Sequence, residues 1–209
     1  LAGTLLNTLT DLADAGNRLC RKYGWPTHER QAYRYFVGNG IPKLVERLAP
    51  ADQRTPAVLE AALADFKRDY GQHLRDTTAP YPGIPEMLAK LKANGVQLAV
   101  FSNKADALAK EVVKDYFGTQ YFTIVRGQMT GVAPKPAAEG TNALLQALHA
   151  DPASTLYVGD SNVDVETAHN ANLPCCGAVW GFRTREELNA AGAEYLAENS
   201  DELYDVIMK

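Results

Sequence analysis

The chain has 209 residues, of which 46% are hydrophobic and 22% charged, and its formal net charge at pH 7 is −4. These values are typical of a chain that folds around its own apolar core, and they exclude an intrinsically disordered protein. The acidic balance disfavours nucleic acid as a partner, and no apolar run approaches the ~20 residues needed to cross a bilayer.

The start of the sequence shows no basic segment followed by an apolar one, so we expect no signal peptide. The three cysteines are an odd number without metal-ligand spacing, and we expect them to remain reduced. Together these features predict a cytoplasmic protein with no membrane partner. We expect it to be a monomer or a homodimer.

A helical pattern runs from residue 9 to residue 78. Apolar residues recur at helical spacing in two stretches of this region: Leu9, Leu12, Leu19 and Tyr23, and then Val58, Leu59, Ala62, Phe66 and Tyr70. Gly24 followed by Pro26 is a typical helix stop, and Gly38-Asn39-Gly40 predicts a turn. We therefore predict a helical domain over residues 9–78.

From residue 79 onward, short apolar runs alternate with amphipathic helices. We predict strands at Val96–Phe101, Tyr121–Val125, Thr155–Val158 and Cys175–Val179, and helices at about Ala105–Tyr116, Ala137–His149 and Val163–Ala171. This alternation predicts an α/β fold with a Rossmann-like, doubly wound parallel sheet. We assign this core to residues 1–8 and 79–209, with the helical domain inserted into it.

Polar residues follow the predicted strands. Ser102–Lys104 come after the first strand, Lys135 lies in the connection after the second, and Asp160 and Asp164 come after the third. Ligands of open parallel sheets bind at the carboxyl ends of the strands, so we expect these side chains to converge. Taken singly, each also has an ordinary explanation, such as a helix cap or a solvated lysine.

A hydroxyl, an ammonium group and two carboxylates at one sheet edge can bind a phosphate and a divalent cation. Ser102 and Lys135 would neutralise the phosphoryl oxygens, and Asn103 would frame the pocket. Asp160 and Asp164 supply oxygen ligands of the kind that Mg²⁺ prefers. The sequence therefore predicts a Mg²⁺-assisted site for a small phosphorylated substrate.

With these residues in place, the chain resembles the haloacid-dehalogenase superfamily. Ser102, Lys135 and Gly159–Asp164 are similar to its second, third and fourth motifs, and Gly3-Thr4-Leu5 is similar to the end of its first, Asp-x-Asp-Gly-Thr. Further similarity to phosphoglycolate phosphatases lies in Tyr81–Glu86, Ser102–Lys104, Trp180–Arg183 and Ala191–Tyr195. The resemblance implies a helical cap over residues 9–78 and Mg²⁺-dependent hydrolysis of a phosphomonoester, with 2-phosphoglycolate as the first candidate.

The first motif departs from the family pattern. In the family, its first aspartate attacks phosphorus to form an aspartyl phosphate, and its second acts as general acid and base. Alignment on Gly3-Thr4 puts Ala2 at the second aspartate and the nucleophile, with its apolar strand, before Leu1. We expect the chain as it stands to be inactive by this route, although the main-chain carbonyl of Ala2 could still bind the metal as the family's backbone oxygen does.

Three interpretations of Ala2 stay open at this point. Residues upstream of Leu1 could carry the nucleophile, with Ala2 either natural or introduced. The related phosphonoacetaldehyde hydrolases also have alanine at this position and use a cap lysine to form a Schiff base with the substrate, which would make Lys43 the binding lysine here. The third interpretation is a non-catalytic relative that binds a phosphorylated ligand or a protein partner.

Overall fold

The computed structural model describes all 209 residues, Leu1–Lys209. The chain divides into two compact units. Unit 1 comprises Leu1–Leu6 and Pro80–Lys209, and unit 2 comprises Asn7–Ala79. Two short strands, β1 (Leu6–Asn7) and β2 (Ala79–Pro80), lie where the chain passes from one unit to the other. The interpretation of unit 2 as a cap domain stays a prediction.

Unit 2 is built from helices. They are α1 (Leu9–Tyr23), α2 (Tyr33–Phe36), α3 (Ile41–Leu48) and α4 (Pro56–His73), with single 3₁₀ turns at Arg30–Ala32 and Ala51–Gln53. Both α1 and α3 pack against α4, with Phe66 and Tyr70 fully or almost fully buried. The predicted stop of the first helix is confirmed, because Gly24 adopts a left-handed φ of 66° there.

A buried carboxylate joins the beginning of unit 2 to its end. Asp11, in the first turn of α1, is 2% exposed. Its two oxygens accept hydrogen bonds from Thr77 and Thr78. The main-chain N–H groups of both residues donate at 2.9 Å, and the hydroxyls donate at 2.5 Å and 2.7 Å, respectively. Burial alone would raise the pKa of Asp11, but these bonds stabilise the carboxylate and hold its pKa below the usual value.

Unit 1 is a parallel α/β structure, which confirms the predicted fold class. In chain order its elements are α5 (Ile84–Ala93), β3 (Leu98–Ala105), α6 (Asp106–Phe117), β4 (Phe122–Gln128), α7 (Glu139–Leu148), β5 (Tyr157–Gly159), α8 (Asn162–Asn170), β6 (Cys175–Ala178), α9 (Arg185–Ala190), β7 (Tyr195–Ala197) and α10 (Ser200–Ile207). β3 pairs with β4, and β5, β6 and β7 pair in that order, all in parallel.

The first long strand differs from its predicted bounds. We predicted it to end at Phe101, but β3 continues to Ala105, so Ser102–Lys104 lie inside its carboxyl end instead of at a helix start. The strand continues because Ala105 still pairs with Gln128 of β4, across an irregular register after Phe101. Ser102 therefore does not cap α6.

The parallel strands form two separate sheets with an apolar cavity between them. The cavity has a volume of about 690 Å³ and is bordered by Leu98–Phe101 of β3 and by Tyr157 and Val158 of β5. Apolar residues of α5, α7 and α10 complete its wall, together with Leu1 and Leu5. Each sheet thus has a strand whose edge is not paired with the other sheet.

No helix has both the length and the apolar character required to traverse a membrane.

All three cysteines are free and buried, and Cys175 and Cys176 lie in β6. Burial raises the pKa of Cys176 to about 11, so this thiol stays protonated and is a poor nucleophile at neutral pH.

Replacing Asp11 by Ala should destabilise unit 2 by about 2 kcal/mol, because the N–H and hydroxyl of the buried Thr78 lose their acceptor, together with the two donors of the more exposed Thr77. The pKa of Asp11 is lower in the folded protein, so its contribution is complete above pH of about 4 and is lost as the pH falls further. Urea unfolding at pH 7 and pH 3 measures both effects.

The matched control is Asp14→Ala, one turn further along α1 on an exposed position. It should change the free energy of unfolding by less than about 0.5 kcal/mol. Equal effects of the two substitutions would mean that the Asp11 network contributes nothing specific to stability.

Candidate functional site

The residues that the sequence analysis selected in the core meet in unit 1 at the carboxyl ends of its parallel strands. Asp160 directly follows β5, Ser102 lies near the end of β3, and Lys135 lies in the connection 129–138 between β4 and α7. Within each sheet, the carboxyl ends of the parallel strands share one edge. Side-chain contacts, above all the Lys135–Asp164 pair, join the edge of one sheet to that of the other.

Lys135 and Asp164 form a buried ion pair. The Lys135 Nζ lies 2.6 Å from Asp164 Oδ1, and each side chain is only 9% exposed. Burial opposes the charge of Lys135, but the attraction of Asp164 prevails and raises the pKa of the ammonium group. Burial likewise opposes the charge of Asp164, and Lys135 holds the pKa of that carboxyl below its usual value. Both groups are therefore charged at neutral pH.

The second oxygen of Asp164 is engaged at the start of α8. Asp164 Oδ2 accepts hydrogen bonds from the N–H groups of Asp160 and Ser161 at 3.1 Å and from the Ser161 hydroxyl at 2.8 Å. Asp164 thus satisfies donors at a helix N-terminus while pairing with Lys135. Because both of its oxygens accept hydrogen bonds from the protein, Asp164 orients Lys135 and the start of α8. Its role in binding metal stays a prediction.

Asp160 is held by residues from two remote parts of the chain. Asp160 is 3% exposed. Its Oδ1 accepts from the Thr4 hydroxyl at 2.7 Å, and its Oδ2 accepts from the N–H of Phe182 at 3.0 Å. Burial, with the nearby negative charge of Asp164, raises the pKa of Asp160. A bound cation would offset both effects.

Two glycines make room for this carboxylate. A Cβ atom on Gly3 would overlap the carboxylate of Asp160, and one on Gly181 would overlap its Cβ. Gly3 also has a φ of 82°, which side chains other than glycine rarely tolerate. Glycine at position 3, in the Gly3-Thr4-Leu5 motif, is therefore required by the close packing around Asp160.

Ser102 and Asn103 complete the polar edge. Ser102 is 7% exposed, and its Oγ accepts from the N–H of Lys104 at 3.1 Å. The amide of Asn103 contacts the main chain of Lys135, donating to its carbonyl at 3.3 Å and accepting from its N–H at 2.9 Å. The end of β3 is thereby connected to the loop that carries the lysine.

The other two predicted positions lie outside this hydrogen-bond network. Ala2 forms an isolated parallel bridge with Leu6, and its methyl group cannot donate or accept a proton. Lys43 belongs to unit 2, where its ammonium group pairs with Glu46 at 2.8 Å on α3. Its side chain is 46% exposed, whereas a Schiff-base lysine is usually activated by desolvation.

The donor chemistry of the site fits Mg²⁺. No group of three or more His, Cys, Asp or Glu side chains in the structure is placed so that it could hold a metal ion by itself. Mg²⁺ instead binds through one or two carboxylates, with water and substrate phosphate completing its octahedron. Asp160 is a buried carboxylate of this kind, with its Oδ1 bound by the Thr4 hydroxyl and its Oδ2 by the Phe182 N–H.

Two partners of Asp160, the Thr4 hydroxyl and the Phe182 N–H, could not be predicted from the sequence. In the sequence, Thr4 stands out only as part of a motif, and Phe182 only as part of a stretch similar to phosphatases. A main-chain donor leaves no residue-type signal, because every residue except proline has an N–H. The neighbouring Gly181 was the one available sign, since glycine permits close approach of the backbone.

Known proteins match this chain over most of its length. The family model for haloacid dehalogenase-like hydrolases matches residues 1–178. A phosphoglycolate phosphatase of Chromobacterium violaceum is 30% identical over 210 residues, covering 99% of this chain and 93% of that protein. A phosphoglycolate phosphatase of Cupriavidus necator is 31% identical over 204 residues, covering 97% and 88%.

A solved structure agrees with the fold. A crystal structure from Lactobacillus delbrueckii subsp. bulgaricus, provisionally assigned as a phosphoglycolate phosphatase, superposes with a TM-score of 0.92 at 27% identity. The match covers 98% of this chain and 94% of that chain. The resemblance stated from the motifs is confirmed by these comparisons, as is the α/β fold class.

Replacing Asp164 by Asn should lower the free energy of unfolding by about 3 kcal/mol, because the substitution leaves the buried ammonium of Lys135 without its closest carboxylate. The folded-state pKa of Asp164 is depressed, so this stabilisation is present above pH of about 4 and is lost as the pH falls. Urea unfolding at pH 7 measures the difference.

Glu187→Gln is the matched control, because Glu187 holds the same position in the capping box of α9 but on an exposed surface. Its effect should stay below about 1 kcal/mol. A loss at Asp164 no larger than that at Glu187 would show that the buried pair does not stabilise the fold beyond ordinary capping.

Proposed function

Because the chain belongs to the haloacid dehalogenase-like hydrolase family, we propose that it is a Mg²⁺-dependent phosphomonoester hydrolase of small phosphorylated acids, with 2-phosphoglycolate as the preferred substrate. The observation that carries this proposal is the buried Lys135–Asp164 pair beside Asp160 at the carboxyl ends of the parallel strands. The names of the similar phosphoglycolate phosphatases support the choice of substrate.

The phosphoryl group of the substrate would bind between Ser102 and Lys135. The Lys135 ammonium, held in place by Asp164, would neutralise the nonbridging oxygens, and the Ser102 hydroxyl would donate a hydrogen bond to them. Such groups act strongly because they are shielded from water and already oriented before the substrate arrives. In phosphoryl transfer this kind of positioning supplies much of the rate.

The cation would be bound by Asp160, with the main-chain carbonyl of Ala2 as the second protein ligand that the family resemblance implies. When bound, Mg²⁺ supplies positive charge that polarises the phosphoryl oxygens. The Thr4 hydroxyl and the Phe182 N–H would orient the Asp160 carboxylate, since each donates to a different oxygen. Asp164 would support the site through Lys135.

The acid–base carboxylate of the family mechanism has no counterpart at its aligned position in this chain. The position of the general acid and base is Ala2, and the position of the nucleophile precedes Leu1. Loss of a positioned acid–base group costs about a hundred- to ten-thousandfold in rate. We therefore expect the residues of this chain to bind phosphate and Mg²⁺ but not to turn over phosphate esters.

The apolar cavity in unit 1 supports the interpretation that an upstream strand carries the nucleophile. β3 and β5 border this cavity from different sheets, and Leu1 and Leu5 also line it. A strand entering there in parallel would pair with both open edges and cover apolar side chains that would otherwise contact water. The aspartate at the end of that strand would then directly precede Leu1.

No specific observation favours either of the two alternative functions, phosphonate cleavage or binding without catalysis. Lys43 is exposed and ion-paired with Glu46, so the structure offers no support for a Schiff-base lysine of the phosphonoacetaldehyde hydrolase type. A non-catalytic relative would use the same Ser102, Lys135 and Asp160 to bind a phosphorylated ligand, so turnover is what separates it from an enzyme. Oligomeric state and a cytoplasmic location stay predictions.

Inorganic phosphate should bind the chain, and Lys135→Met should weaken that binding by at least tenfold, because the substitution removes a charged hydrogen-bond donor worth about 1.5–3 kcal/mol. Isothermal titration calorimetry with and without Mg²⁺ measures it. The control, Lys110→Met, removes an exposed lysine that pairs with Asp106. If the two variants bind phosphate equally well, Lys135 is not the phosphate ligand.

Ala2→Asp should switch on hydrolysis of 2-phosphoglycolate in a form of the protein that carries an apolar strand and an aspartate directly before Leu1. Relative to the same form with Ala2, the rate should rise by about a hundred- to ten-thousandfold. Release of inorganic phosphate in the presence of Mg²⁺ is the measurement. Phosphate binding without turnover in either form would favour the non-catalytic relative.

A further inference from the structure

The connection 129–138 holds the lysine proposed to bind phosphate, although it has no helix or strand of its own. Lys135 lies between Pro134 and Pro136, neither of which has an N–H group to anchor the backbone. Within this Pro-Lys-Pro segment, the N–H of Lys135 is therefore the one main-chain donor. The flanking main chain is held by the Ala137 N–H, which donates to the Pro134 carbonyl at 3.0 Å, and by the Asn170 amide, which donates to the Pro136 carbonyl at 2.9 Å. The N–H and carbonyl of Lys135 itself are the main-chain groups through which another part of the site can position the lysine directly.

Asn103 binds both of these groups. Its Oδ1 accepts from the Lys135 N–H at 2.9 Å, and its Nδ2 donates to the Lys135 carbonyl at 3.3 Å. One planar amide thus satisfies the donor and the acceptor of a single residue, as a neighbouring strand would. Because Asn103 lies in β3, which pairs in parallel with β4, this pair of strands fixes the position of the Lys135 main chain.

The lysine is consequently held at both of its ends. Asp164 fixes the ammonium group at 2.6 Å, and Asn103 fixes the main chain from which the side chain extends. A lysine side chain that is free at either end has about 2 kcal/mol of rotamer entropy to lose on binding. A lysine held at both ends has lost that freedom before the ligand arrives, which favours binding.

Asn103 is also the residue next to Ser102. Two neighbouring residues of β3 therefore have related roles: Ser102 supplies the hydroxyl proposed to bind the phosphoryl group, and Asn103 holds the main chain of Lys135, the lysine proposed to bind the same group. We propose that Asn103 is a positioning residue of the phosphate site: its side-chain amide sets the spacing between the Ser102 hydroxyl and the Lys135 ammonium by clamping the Lys135 main chain. This inference rests on the proposed function, because it presumes that these two groups bind phosphate.

The proposal has a specific consequence for coupled substitutions. If Asn103 acts through Lys135, removing the clamp should weaken phosphate binding only while the lysine is present. A merely structural role of Asn103 would instead weaken binding by the same factor with or without Lys135, since a general disturbance of β3 also displaces Ser102.

The test is a double-mutant cycle in which the affinity for inorganic phosphate is measured by calorimetry for the whole chain. Asn103→Ala should weaken binding about tenfold in the presence of Lys135, and less than twofold in a Lys135→Met background. Should Asn103→Ala fail to fold, as judged by circular dichroism, Asn103→Ser replaces it, because serine is too short to reach both groups of Lys135. Asn94→Ala, which removes an exposed bond to the Lys90 carbonyl in the same unit, should change the affinity less than twofold.

The outcomes are distinguishable. Equal weakening in both backgrounds overturns the proposal, as does unchanged affinity of Asn103→Ala while Lys135→Met binds weakly. In both of these cases the proposed phosphate site itself stands. Absence of phosphate binding by the unsubstituted chain contradicts the proposed function, and this inference with it.

Discussion

Lys135 carries a positive charge where water hardly reaches it, and the paired carboxylate of Asp164 is what allows that charge to be buried. Through this one pair, the loop after β4 is tied to the start of α8, 29 residues further along the chain. The remaining oxygen of Asp164 accepts from the main-chain N–H of Asp160, so the backbone that carries the Asp160 carboxylate is held by the same group. The geometry of the whole polar edge depends on this charge balance.

Under the proposed function, the groups that bind phosphate and Mg²⁺ and the groups that react lie in different parts of the site. The groups proposed to bind phosphate and Mg²⁺ are present. Hydrogen bonds join Lys135 to Asp164 and Asp164 to the main chain of Asp160, and Ser102 is the chain neighbour of Asn103, which holds the Lys135 main chain. The reacting groups would belong to the first motif, where Ala2 stands at the position that the family alignment gives to the acid and base. The cavity between the two parallel sheets borders this same first-motif segment. Phosphate affinity and turnover are therefore separately measurable properties of the protein.

Much of this organisation could be predicted from the sequence, because it depends on local patterns. Alternating apolar runs and amphipathic helices indicated the parallel α/β class, and Gly24 marked the end of α1 by its left-handed conformation. The order of the motifs identified Ser102, Lys135 and Asp160, since the residue types that bind phosphate and cations follow strand ends. The short strand β7 was missed, because three residues are too few for a periodic signal. The helices on either side of it, α9 and α10, were missed as well.

Tertiary structure alone decided how these residues are oriented. The Thr4 hydroxyl reaches Asp160 across 156 positions, and no local pattern encodes such a contact. The extension of β3 through Asn103 depends on pairing with β4, and it is this extension that places the amide of Asn103 against the Lys135 main chain. The sequence by itself determined which chemical groups stand at the strand ends. Which partner each group binds was decided by the fold, because hydrogen bonds and ion pairs require distances that only the packed chain establishes.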